Sequence, residues 1–161
     1  MISNLKEIVT STVALLLLFT YEYVAANEKQ DFSGVWPSEC RSSRILPSKE
    51  TFIVKDGIIK SEMIFYADED CKTPVSSLKS EKTFTYINGG TIKAVMKMAT
   101  AEVLDKDVIP SFNGFRTFGI SDWKVGTVYQ TNGLENAPKI GHEEIVRVVV
   151  DNGSLKFIER K

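Results

Sequence analysis

Five Asp-Gly or Asn-Gly pairs punctuate this chain: Asp56-Gly57, Asn88-Gly89, Asn113-Gly114, Asn132-Gly133 and Asn152-Gly153. Such pairs accept the positive φ angles that two-residue hairpin turns demand, so they constrain the fold more than any other local signal. Three of them separate strand-like runs: 49–55 from 58–66, 78–87 from 91–99, and 143–150 from 154–160. Antiparallel pairing is the consequence. The runs alternate as half-buried strands do. Ile59, Met63 and Phe65 oppose Lys60 and Glu62, whereas Ile92, Ala94, Met96 and Met98 oppose Lys93 and Lys97. The run 145–150 is almost wholly apolar, as a central strand would be, and Trp123, Val125, Thr127 and Tyr129 suggest another strand face. With strands at 32–36 and around 115–119, the count reaches eight or nine. Residues 99–108 read equally as a short helix before Pro110 or as extended chain, and 132–141 as a loop at one rim.

Sequential hairpins place neighbouring strands in chain order. The expectation is an all-β, up-and-down antiparallel barrel of about eight strands, since closure removes exposed edges; a two-sheet sandwich is the alternative. At that strand number the interior holds side chains or one small ligand.

The N-terminus lies outside this pattern. Lys6 precedes an apolar run from Val13 to Tyr21, and Val24-Ala25-Ala26 offers small residues for cleavage. This predicts a signal peptide over 1–26 and a single domain over 27–161. An uncleaved anchor competes, but the run falls short of the roughly 20 residues a spanning helix needs. No cysteine stands at the cleavage point, so a secreted or periplasmic protein without a lipid anchor is expected. Removing Lys6, Glu7 and Glu22 leaves 19 basic and 19 acidic residues. Such a balance provides no field for nucleic acid or an anionic membrane, and a monomer is expected.

Cys40 and Cys71 are the only cysteines, and an oxidising compartment favours their pairing. A two-thiolate metal site would need ligands that the nearby sequence does not offer. The 32-residue loop corresponds to at most about 3.7 kcal/mol of chain entropy.

Gly34-x-Trp36, on the first strand of such a barrel, resembles the lipocalin-like (calycin) pattern. The longer pattern is Gly34-x-Trp36-x-Ser38-x-Cys40 followed by Tyr66-x-Asp68-x-x-Cys71. It is similar to the extracellular lipocalin-like domain of the adenomatosis polyposis coli down-regulated protein and small exported bacterial relatives. Trp123-Lys124-Val125-Gly126 resembles the C-terminal half of that group. The resemblance covers most of 32–160 in layout, with its distinctive letters in the first forty. It implies the barrel, the Cys40–Cys71 link, a secreted binding role, and Gly34 and Trp36 as the barrel-floor motif. A basic side chain, Arg147 or Arg160, is then expected across the Trp36 ring. The resemblance carries over no catalytic residue.

The remaining chemistry is sparse. His142 is the sole histidine, no Gly-x-Ser-x-Gly elbow is present, and on a strand His142 and Glu144 converge as only two ligands. Asp68-Glu69-Asp70 lacks calcium-loop spacing and reads as a solvated turn. No enzyme, cofactor or metal site is expected. The candidate cavity lining is Phe52, Met63, Phe65, Phe84, Tyr86, Met96, Met98, Trp123 and Tyr129, with Val54, Val148 and Phe157 also facing inward. The expected function is an exported small-molecule binding module for an apolar or lipid-like ligand. The alternative is a protein-interaction module, such as an inhibitor of a secreted hydrolase. An apolar void of roughly 300 Å³ or more favours the first.

Overall fold

The computed structural model describes residues 30–42, 46–135, 137 and 139–159. The expected signal peptide and Arg160 therefore lie outside the described residues. Eight strands form one antiparallel sheet: β1 (Gly34–Pro37), β2 (Ser48–Lys55), β3 (Ile58–Tyr66), β4 (Pro74–Asn88), β5 (Thr91–Val103), β6 (Val128–Gln130), β7 (Glu143–Asp151) and β8 (Ser154–Glu159). They pair in the order β1-β2-β3-β4-β5-β7-β8, with β6 also on β5. The sheet curls nearly into a closed barrel. β1 and β8 face each other across Trp36, Phe52, Leu155 and Phe157, and no ladder is found between them among the described residues.

Three of the punctuating pairs make the hairpin turns. Asp56 and Gly57 have φ of 52° and 76°, and Asn152 and Gly153 have 48° and 74°. At the third turn Gly89 and Gly90 take the positive angles. A Cβ on Gly90 would stand 2.9 Å from the Gln30 side chain and 3.2 Å from the Val148 carbonyl oxygen, so this position needs glycine. All three turns lie at one end of the barrel. The Cys40–Cys71 disulfide, with Cα atoms 5.9 Å apart, lies at the other and ties the segment after β1 to the β3–β4 turn. There the Asp68 carboxylate accepts hydrogen bonds from the Lys72 and Thr73 amides, and these hold its pKa below the usual value.

β5 serves two partners on one edge: Thr91–Val95 pairs with β7, and Thr100–Glu102 with β6. A bulge lies between these halves. Lys82 pairs with Met96 but Glu81 with Met98, so Lys97 is the extra residue. The bulge reverses the inward phase of the strand. Ile92, Ala94 and Met96 face the interior before it, and Ala99, Ala101 and Val103 after it. Met98, expected to share the inward face of Met96, is turned to solvent.

The expected strand around 115–119 is not formed. After β5 the chain makes a 3₁₀ turn at Lys106–Val108, a helix α1 at Ile109–Gly114 and a second 3₁₀ turn at Thr117–Gly119. Pro110 sits in the first turn of α1, where a missing N–H costs nothing. Of the expected strand face Trp123, Val125, Thr127 and Tyr129, the strand β6 includes only Tyr129.

Two apolar clusters fill the ends. At the hairpin end Phe32, Val54, Ile59, Phe84, Ile92, Ala94, Val146, Val148 and Leu155 are buried, with Trp36, Phe52, Tyr86 and Phe157 packed against them. At the disulfide end Ala101, Val103 and Trp123 form the buried centre beneath α1.

Candidate functional site

The hairpin end is sealed by an aromatic plug. Phe32 is fully buried, with its ring 5.5 Å from Phe84 and 5.4 Å from Tyr86. Phe32 rather than Trp36 is therefore the fully buried aromatic that closes this floor. Trp36 is half-buried beside the β1–β8 seam, and its Nε1 donates to the Phe32 carbonyl oxygen at 3.0 Å. Gly34 has φ of 147°, and a Cβ there would lie 3.4 Å from the Trp36 indole nitrogen. The motif thus fixes the segment that delivers Phe32. Arg147 stands exposed on the outward face of β7, between inward Val146 and Val148, so it does not lie across Trp36.

Four cavities follow one another through the barrel, neighbours sharing lining residues. The first, about 280 Å³, lies at the seam against Trp36, Arg41, Glu50, Phe52 and Phe157. The second, about 230 Å³, shares Glu50, Phe52 and Phe157 with it and adds Ser61, Ser80, Lys82 and Glu144. The third, about 250 Å³, shares Glu50, Ser61, Ser80 and Lys82 and reaches Met63, Leu78, Met96 and Phe118. The fourth is the most apolar. About 380 Å³ lies under α1, against Leu46, Phe65, Leu78, Ala101, Phe112 and Phe118, with Phe115 at its edge. Phe115 is 83% exposed, an unusual state for a phenylalanine beside an apolar hollow.

The polar centre was not anticipated. Lys82 and Glu144 form an ion pair inside the barrel, their side chains only 26% and 22% exposed. The Ser61 and Ser80 hydroxyls hydrogen-bond each other at 2.8 Å across β3 and β4. Glu50 is half-buried on β2 and opposite Met63, and among the described residues its carboxylate has no ion-pair or hydrogen-bond partner. Its backbone N–H donates to the Ser38 hydroxyl at 2.8 Å. Burial raises the Glu50 pKa above its ordinary value, against the opposing pull of Arg41 and Lys82. The sequence did carry a signal for these groups. Glu50 is in phase with Phe52 and Val54, Lys82 with Phe84 and Tyr86, and Glu144 with Val146 and Val148.

The expected lining residues separate into groups. Phe52 borders the seam cavity and the next one inward, Met63 and Met96 the third, and Phe65 the apolar one. Phe84 and Tyr86 belong to the floor instead, with Val54 and Val148. Met98 points outward. Trp123 is buried as a pillar behind α1, with Phe112 and Tyr129 rings 5.4 and 4.4 Å away. Its Nε1 donates to the Thr117 carbonyl oxygen, and its backbone N–H to the Asn113 side chain at 2.7 Å. The Tyr129 hydroxyl donates to the Asp122 carbonyl oxygen and accepts from the Lys124 N–H, closing the loop beneath Trp123. The residues missed were those of α1 and the turn after it, whose phenylalanines, Phe112, Phe115 and Phe118, carry no strand or heptad signature.

His142 is exposed in the turn before β7, and its carbonyl oxygen accepts from the Met96 amide. Glu143 faces outward to Lys93 while Glu144 turns inward, so the three consecutive side chains do not converge. Among the described residues no three His, Cys, Asp or Glu side chains are grouped as metal ligands. No helix among them is long and apolar enough to cross a membrane.

Fold and site together define a small disulfide-tied β-barrel with a plugged floor, a charged middle and an apolar hollow at the opposite end. No protein-family model matches the chain, and no curated protein does.

Proposed function

We propose that this protein is an exported, lipocalin-like barrel that binds a small apolar molecule in the hollow beneath α1. The observation that carries this reading is that hollow. Its volume of about 380 Å³ exceeds the roughly 300 Å³ at which ligand pockets begin. Its surface is mostly apolar, from Leu46, Phe65, Leu78, Ala101, Phe112 and Phe118, with Ser76, Ser77, Glu102, Ser111 and Thr117 also bordering it. A shape of this kind gains affinity from apolar area withdrawn from water, about 25 cal/mol per Å². Phe115 stands at its edge, positioned to fold over an occupant. The disulfide supports an oxidising compartment, in keeping with removal of residues 1–26 as a signal peptide.

Fluorescence titration with N-phenyl-1-naphthylamine, an apolar probe that brightens on leaving water, tests the reading. The expected result is saturable binding with a Kd on the order of 1 μM, about 8 kcal/mol. Ser111 is exposed on α1 and borders the hollow, so Ser111→Trp should block it and weaken binding at least tenfold. Absence of saturable brightening, or equal affinity in Ser111→Trp, would refute the proposal.

A further inference from the structure

A second site lies next to the apolar hollow, deeper in the barrel. Three of the four cavities, of about 280, 230 and 250 Å³, have Glu50 in their walls, so this one carboxylate is the point where the interior space converges. Such a position is not what stability selects. A half-buried carboxylate loses water without gaining a partner, and burial disfavours its charged form. Lys82 is the obvious counter-ion within the barrel, yet Glu144 already holds it. Among the described residues the second cavity thus has two carboxylates, Glu50 and Glu144, for one ammonium. Arg41 is exposed at the outer end of the seam and attracts Glu50 from there without forming an ion pair.

Lys156 also borders the first cavity but is held by Asp151. The excess of carboxylate therefore belongs to the second cavity, with Glu50 and Glu144 against Lys82, and the rest of the lining gives that cavity its shape. Phe52 and Phe157 meet edge to face at 4.9 Å on one side of the space, offering an aromatic shelf. Ser61 is the cross-strand neighbour of Phe52, and the Ser61 and Ser80 hydroxyls have acceptor capacity beyond their mutual bond. An ammonium group donates three hydrogen bonds and accepts none, and its attraction to a carboxylate is larger in a partly dehydrated space. A short apolar body attached to it would rest on the two rings.

We propose that the barrel interior is a binding site for a small organic ammonium ion, with Glu50 as its counter-ion and Phe52 and Phe157 as the bed for its apolar part. The occupant enters through the gap between β1 and β8, where the wall lacks a ladder and the first cavity opens. This site adjoins the hollow under α1, with Leu78 and Phe118 bordering both, and takes a ligand of different chemistry.

The probes are 2-phenylethylammonium and its neutral counterpart 2-phenylethanol, titrated by calorimetry into the full domain. The expected result is at least tenfold tighter binding of the ammonium. Glu50→Gln keeps the size of the side chain and should reduce that preference to near unity. Glu62→Gln, on the outward face in an exposed pair with Lys79, should leave it intact. Equal binding of the two probes, no binding of either, or a preference that survives in Glu50→Gln each overturns the proposal. The naphthylamine titration reports the hollow under α1 separately, so failure here leaves that reading standing, and the reverse.

Discussion

Replacing Trp123 by alanine should cost this domain about 4–5 kcal/mol, and replacing Trp36 only about 2 kcal/mol. Trp123 is 2% exposed and supports α1 through Phe112, β6 through Tyr129, and the Thr117 turn through its indole N–H. A fully buried tryptophan withdraws about 150–250 Å². At about 25 cal/mol per Å² that is roughly 4–6 kcal/mol, in line with the 3–5 kcal/mol typical of Trp→Ala. Trp36 is half-buried on the seam, so about half the area and less of the cavity penalty apply. Urea unfolding followed by far-ultraviolet circular dichroism measures both without depending on either indole. With a slope of about 2 kcal/mol/M, Trp123→Ala moves the midpoint down by about 2 M and Trp36→Ala by about 1 M. If Trp36→Ala proves as damaging as Trp123→Ala, then Trp36 is the structural plug and the division of labour between Phe32 and Trp36 is wrong.

Two further outcomes follow from the same contacts. Cys40→Ser/Cys71→Ser should lower stability by up to about 3.7 kcal/mol without changing far-ultraviolet dichroism, because the bond constrains the unfolded chain; an unchanged urea midpoint would contradict this. Glu50 has its pKa raised by burial, so the folded state holds its proton more tightly than the unfolded one. Its contribution therefore falls as pH rises from the ordinary carboxylate value to the raised one, and above that remains unfavourable. Glu50→Gln should accordingly be more stable than the parent at pH 7 and lose that advantage near pH 4, as urea midpoints at the two pH values will read; a less stable Glu50→Gln at pH 7 would refute it.

The hairpins were legible because Asp56-Gly57 and Asn152-Gly153 carry their backbone preference locally, and the turn at Asn88-Gly89 takes its positive angles from Gly89 and Gly90. The disulfide was legible because two cysteines in an oxidising space have one partner each. The inward phase of β5 was legible only to Met96, since the bulge at Lys97 involves no glycine and arises from pairing with β4 and with two different strands on the other edge. Segment 105–127 misled because its structure comes from tertiary contact: α1 is short, without a side-chain cap, and is held by Trp123 and Asn113 rather than by its own period. The apolar interior expected from Phe52, Met63 and Met96 is half right. Apolar residues were counted at inward positions, while the charged ones in the same phase, Glu50, Lys82 and Glu144, were left out of the expected interior.

The most direct test of the binding claim is methyl NMR of the protein during addition of N-phenyl-1-naphthylamine. The account predicts saturating shifts at the methyl groups of Leu78 and Ala101, which border the hollow beneath α1, with Val35 and Ile158 on the outer wall unmoved. Shifts confined to the outer wall, or none at Leu78 and Ala101 at saturating probe, would contradict it.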